Sequence, residues 1–295
     1  MKTRTLPART RNPLAAPLLA LPLLLLAGCS TATTPTTPAP TPAADIGHVH
    51  GMSVDLASTK ILLATHDGLY DATTKTPVKI SETTIDLMGF TATADPDTFY
   101  ASGHPGPDSS LPNPVGLIKS TDAGKTWQQV SRGGQSDFHA LTVSGGALIG
   151  FDGQLRTSPD GTTWDTSTAT FSPAVLAGSP ASTVVLATTE AGVQRSTDHG
   201  KTWQPVPESP IIQFAALAVS AVKAPTEAVG VAPDGRVYLS GDSGLTWTTT
   251  GKVTGQVEAV TALEGTAGKP RIWVATTDGV QISTDGGATF HPATT

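Results

Sequence analysis

Beyond position 29 the sequence has no cysteine; the single one in the chain is Cys29. That lack excludes a disulfide, a cysteine-based metal site and a thiol nucleophile from everything downstream. Aromatic residues make up only 5% and charged residues 14%. The one long apolar stretch, from Leu14 to Leu26, is broken by Pro17 and Pro22, too short and too interrupted for a membrane-spanning helix. No later segment shows a sustained helical period. Positive charge is scarce too. The 18 Lys and Arg, less Lys2, Arg4, Arg9 and Arg11, leave 14 against 24 Asp and Glu. No basic stripe for nucleic acid is left, and no glycine-rich phosphate loop follows a strand pattern.

What the chain does have is a repeated phrase. Ser120-Thr-Asp122-Ala-Gly124-Lys-Thr126-Trp127 returns at Ser196 to Trp203, Ser240 to Trp247 and Ser283 to Phe290, with a degenerate copy at Thr157 to Trp164. The closing aromatics are 37, 39, 44 and 43 residues apart. Short apolar runs bounded by Gly, Pro, Asp and Ser lie between the copies, as strands do. Asp and Ser side chains hold turns through nearby N–H groups, and glycine supplies a positive φ. Each copy therefore predicts a hairpin turn feeding an outer strand, with the aromatic packed between units.

This phrase resembles the Asp-box, or BNR, repeat of sialidase-like β-propellers. The period matches a four-stranded antiparallel blade. The expected fold is all-β, a propeller of six blades at about 46–84, 85–132, 137–169, 172–208, 213–252 and 257–292, with a seven-bladed closure as the alternative. Asp122, Asp160, Asp198, Asp242 and Asp285 are then structural residues. No strand exchange between the ends is expected.

Residues 1–29 read as an export signal: a basic start, the apolar stretch, then Leu26-Ala27-Gly28-Cys29. The ending resembles the lipobox of bacterial lipoproteins. That implies cleavage before Cys29 and a lipid on its sulfur, anchoring the protein at the outer face of the cell membrane. Residues 30–45 are Thr, Pro and Ala with almost no charge, a tether composition. The propeller occupies 46–295.

Five of the seven histidines fall in the first three blades. Aligned blade starts read His48-Val-His50, Asp86-Leu-Met88, Asp137-Phe-His139 and, in the last blade, Gln256-Val-Glu258. In a propeller this run opens the innermost strand, at the central channel. His66 and His104 end the second strands of blades 1 and 2. His48, His50, His66, Met88, His104 and His139 should therefore meet at one channel mouth, opposite the boxes. Imidazole with thioether favours copper, and imidazole alone also suits zinc. His50, His139 and Met88 are the expected core ligands, with the other three as further ligands or gates. Asp67, Asp86, Asp137 and Glu258 are second-layer acceptors or alternative ligands. For each histidine a solvated rim position is the plain alternative.

The segments around His48, Thr65, Asp86 and Ala101 also resemble exported bacterial Asp-box proteins labelled glycosyl-hydrolase or exo-sialidase-like. A sialidase would bring an arginine triad and an Arg-Ile-Pro motif; the motif is absent, and Arg132, Arg156, Arg195, Arg236 and Arg271 open no inner strand. Another glycosidase would need two facing carboxylates, drawn from Asp67, Asp86, Asp137, Glu190, Glu258 and Asp278. A third reading is a non-catalytic scaffold for a protein or glycan partner, as in Asp-box assembly factors of photosynthetic membranes.

Overall fold

The computed structural model describes residues 46–220 and 224–293. The export signal, Cys29 and the 30–45 tether lie outside these residues. The described part belongs to one compact unit, Pro42–Thr295, and is all β. Its 24 strands form six four-stranded antiparallel sheets, each with its strands in sequence order. These are six blades of a propeller, spanning 49–79, 85–131, 140–166, 175–205, 214–252 and 257–292. Each falls inside its expected boundaries, and the seven-bladed alternative drops out.

The innermost strands are Val49–Val54, Ile85–Ala92, Ala140–Ser144, Val175–Ala177, Phe214–Leu217 and Val257–Thr266. They pack in a ring, each against the next and the last against the first. A blade is covered on both faces, so a second strand can be buried along its whole length rather than at alternate residues. Ile61–Thr65 and Val185–Thr189 are buried at every position. Six apolar clusters result, one at each blade interface. The outer strands Val78–Lys79, Gln204–Pro205 and His291–Pro292 are two residues long and exposed, which leaves little edge for unwanted pairing.

Blades 1 and 6 are each built from their own segment, so no strand is exchanged. Side chains close the ring instead. Val49, Ile61 and Leu63 of blade 1 pack with Ala259, Leu263 and Trp273 of blade 6. A buried carboxylate of blade 6, Glu258, reaches across to blade 1 above them.

The boxes turn as their chemistry requires. Asp198 accepts the Thr202 N–H at 2.9 Å and its hydroxyl at 2.7 Å, while Ser196 Oγ accepts the Gly200 N–H at 2.9 Å. The same pattern holds at Asp122, Asp242 and Asp285, and in shortened form at Asp160. The box glycine has φ near +80° and lies against the preceding blade. A Cβ on Gly244 would stand 2.6 Å from Leu186, and one on Gly287 2.8 Å from Val237. The indoles of Trp203 and Trp247 donate back to the carbonyls of Gly200 and Gly244.

Partial burial alone would raise Asp122 and Asp198, but the donated hydrogen bonds outweigh it and bring both down to about 2. At Asp160 the Thr163 and Thr162 N–H groups bring the carboxyl to about 2. A depressed folded-state value stabilises above the unfolded value near 3.9, and that stability fades as pH falls toward about 2. Asp198→Asn is therefore expected to lower Tm at neutral pH, with the gap to wild type closing near pH 2. Thermal unfolding across pH checks this; a gap that persists at pH 2 would refute it.

Candidate metal centre

The position that the blade alignment marks is a β-bulge in three blades. Val49 pairs with Thr65 and Gly51 with Ala64, leaving His50 unpaired. Met88 is skipped in the same way between Leu87 and Gly89, and Glu258 between Val257 and Ala259. A bulge turns its extra residue out of strict alternation. Here it aims that residue toward the channel mouth. Gly51 and Gly89, which follow two of the bulges, are its trace in the sequence.

His48, His50, Met88, His139 and Glu258 line the central cavity, about 1190 Å³. The histidines around it divide into three groups. In the first, His50 Nε2, His66 Nδ1 and Asp86 Oδ1 form a triangle with sides of 3.3, 3.0 and 3.6 Å. His50 and His66 belong to blade 1 and Asp86 to blade 2. No other trio of His, Asp or Glu among the described residues brings one ligand atom each within 4.8 Å of one another. Burial, then the charges of His66 and His48, depress His50 to about 4 against the opposing pull of Asp86. Its imidazole is thus neutral at physiological pH.

Asp86 can only accept, so His66 Nδ1–H points to it at 3.0 Å, and His50 Nε2 stands 3.3 Å from the same nitrogen. Three donor atoms converge where a cation can replace that proton. Bonds of about 2.0–2.1 Å in a tetrahedral site put neighbouring ligand atoms about 3.3 Å apart, close to the three sides observed. The residues therefore fit a metal ion in both type and spacing.

The second group lies at the interface of blades 2 and 3. His104 Nε2 and His139 Nε2 both contact Asp137 Oδ2, at 3.1 and 3.4 Å. His104 Nδ1 meets Asn113 Oδ1 at 2.8 Å. That Asn113 bond raises His104 above the usual imidazole value against the effect of burial, and the Asp137 charge adds to it. Both ring nitrogens of His104 are thus engaged, one by Asn113 and one by Asp137. Asp137 Oδ1 is buried without a partner. In the third group His48 Nδ1 meets Glu258 Oε1 at 2.7 Å.

The expected core is thus regrouped. His50 stands in the triangle, whereas His139 is held by Asp137 outside it. Met88 lines the same cavity. Asp86, expected as an outer acceptor, is a direct member. Asp67 is exposed; burial, and then the Asp67 charge, raise the Tyr70 phenol. Two residues had not been marked. Asn113 orients His104, and nothing in its sequence context singles it out. Gly103, with φ +137°, runs so close to the Asp86 carbonyl that a Cβ there would collide with it.

No arginine or tyrosine lines the cavity. Arg132 and Arg156 converge on the buried Asp152, Arg195 bonds the Ser243 carbonyl, Arg236 pairs with Asp234, and Arg271 lies over Trp273. All five are engaged with partners outside the cavity lining.

Comparison with known proteins supports the repeat and the fold. The BNR/Asp-box repeat family model matches residues 194–205. No curated protein matches the chain. Among solved structures, the chain is similar to a GH74 xyloglucanase from Xanthomonas campestris, with TM-score 0.56 and 15% identity over 83% of this chain and 38% of that one. It is similar to a GH74 enzyme from Niastella koreensis, with TM-score 0.55 and 19% identity over 83% and 45%. The chain thus spans less than half of either enzyme. It is also similar to YCF48 bound to D1 peptide, with TM-score 0.51 and 14% identity over 83% and 82%.

Proposed function

We propose that this propeller is a metal-binding protein, holding one ion between blades 1 and 2 through His50, His66 and Asp86. The observation that carries this reading is the convergence of three donor atoms within 3.6 Å of one another. Copper is the first ion to try. It stands at the top of the affinity order for nitrogen donors, and the Met88 thioether lines the same channel. Zinc is the second. Lipid on Cys29 would display the site outside the membrane, with residues 30–45 as the spacer.

Binding is favoured over sugar hydrolysis by the state of the rim carboxylates. Asp86, Asp137 and Glu258 each have at least one oxygen engaged by histidine. A protein-binding scaffold is the second reading. It is favoured by the similarity to the peptide-bound YCF48 structure over most of both chains.

Calorimetric titration of the purified protein with Cu²⁺ and with Zn²⁺ tests the proposal. One ion per chain with Kd below about 1 μM, a free energy of roughly −8 kcal/mol, is the expected result. Absence of saturable binding would end the metal reading and turn the search to peptides and glycans.

A further inference from the structure

The triangle has three donors, and a third imidazole stands beside it. The His48 ring centroid lies 4.7 Å from that of His50 and 6.0 Å from that of His66, while His50 and His66 are 4.4 Å apart. Imidazoles sharing one tetrahedral ion have centroids about 5 Å apart, from bond lengths near 2.0–2.1 Å plus the ring radius. The His48–His50 and His50–His66 spacings lie near that value and His48–His66 is about 1 Å wider; His48 is not among the donor atoms within 4.8 Å of one another, so its ring has to turn inward to reach the ion.

Glu258 fixes the state of His48. Its Oε1 meets His48 Nδ1 at 2.7 Å and its Oε2 accepts the Val49 N–H at 3.3 Å. The Glu258 side chain is 7% exposed. A carboxylate can only accept, so Nδ1 carries the proton and the lone pair of neutral His48 sits on Nε2. Metal-bound histidines characteristically donate their other N–H to a carboxylate in this way. Glu258 also occupies in blade 6 the same bulge position that His50 occupies in blade 1.

We infer that His48 is the fourth donor of the ion, through Nε2, and that Glu258 is its positioning residue. This rests on the metal reading of the His50, His66 and Asp86 group. Its consequence is twofold. Four protein donors make a closed site, suited to holding an ion rather than activating a water on it. The ion also ties blade 1 to blade 2 directly and to blade 6 through Glu258. Loading the site therefore strengthens the interface where the ring closes without a shared strand.

The test uses Co²⁺ as an optical probe and Cu²⁺ for affinity, on the purified protein and its His48→Ala, Glu258→Gln and Asp86→Asn variants. Glu258→Gln is expected to weaken binding about 10–100-fold, as loss of an outer partner does, with one ion still bound. His48→Ala is expected to weaken it at least as much. It should also shift and diminish the visible Co²⁺ band as solvent replaces an imidazole. A loosened ring alone would lower Tm in the metal-free variants but would leave that band in place. Saturable binding lost in Asp86→Asn, with affinity and band unchanged in His48→Ala, would overturn the inference and leave the three-donor site standing. No binding by the wild-type protein would overturn both.

Discussion

Asp86→Asn and His50→Ala are each expected to weaken Cu²⁺ binding by more than about 100-fold, beyond what loss of an outer partner costs. Asp137→Asn should leave it within about threefold, a change of well under 1 kcal/mol. The contrast matters because Asp86 and Asp137 hold the same place in neighbouring blades. Asp86 lies in the inner strand of blade 2 and Asp137 just before that of blade 3, and both contact a histidine from the end of a second strand. Only Asp86 closes a triangle with two imidazoles. The histidine beside Asp137, His104, has both ring nitrogens committed to hydrogen bonds. Calorimetry on the three variants reads the difference. Equal losses in Asp86→Asn and Asp137→Asn would mean that the whole rim, rather than one triangle, holds the ion.

Phe138→Ala is expected to cost about 3–5 kcal/mol, typical of emptying a fully buried aromatic site. For a domain of this size that lowers Tm by roughly 6–20 °C. Phe138 is completely buried between blades 2 and 3. Its ring stacks on Trp164 with centroids 4.8 Å apart, and its N–H donates to Ser102 Oγ at 2.9 Å. The ring also fills the space that a Cβ on Gly150 would need. Nothing nearby can collapse into the hole without moving the box aromatic. Thermal unfolding of the variant checks this. A drop of less than about 2 °C would show that this interface does not hold the ring together.

The boxes, the blade boundaries and the blade count were all legible in the sequence because each depends on local chemistry. A Ser-x-Asp-x-Gly-x-Thr turn makes its hydrogen bonds within eight residues, so its presence at Asp122 or Asp242 announces a hairpin directly. The spacing of the closing aromatics counts the units. The apolar runs mark strands covered on both sides, as Val185–Thr189 proved to be. The mouth of the channel was legible in the same way: His50, Met88 and His139 line it because blade register repeats.

The grouping of those residues was not legible. The bulges at His50, Met88 and Glu258 overrode the simple two-residue alternation. The gap between two blades decided which histidine meets which aspartate. Asp86 entered the triangle and His139 left it over differences of a few ångströms that no spacing along the chain encodes. Glu258 found His48 across 210 positions only because the ring closes. The sequence by itself determined the repeat, the blade and the rim, since those follow from turns and periodicity within one unit. The tertiary structure alone decided which of these side chains meet, since their atoms converge only where separate blades pack side by side.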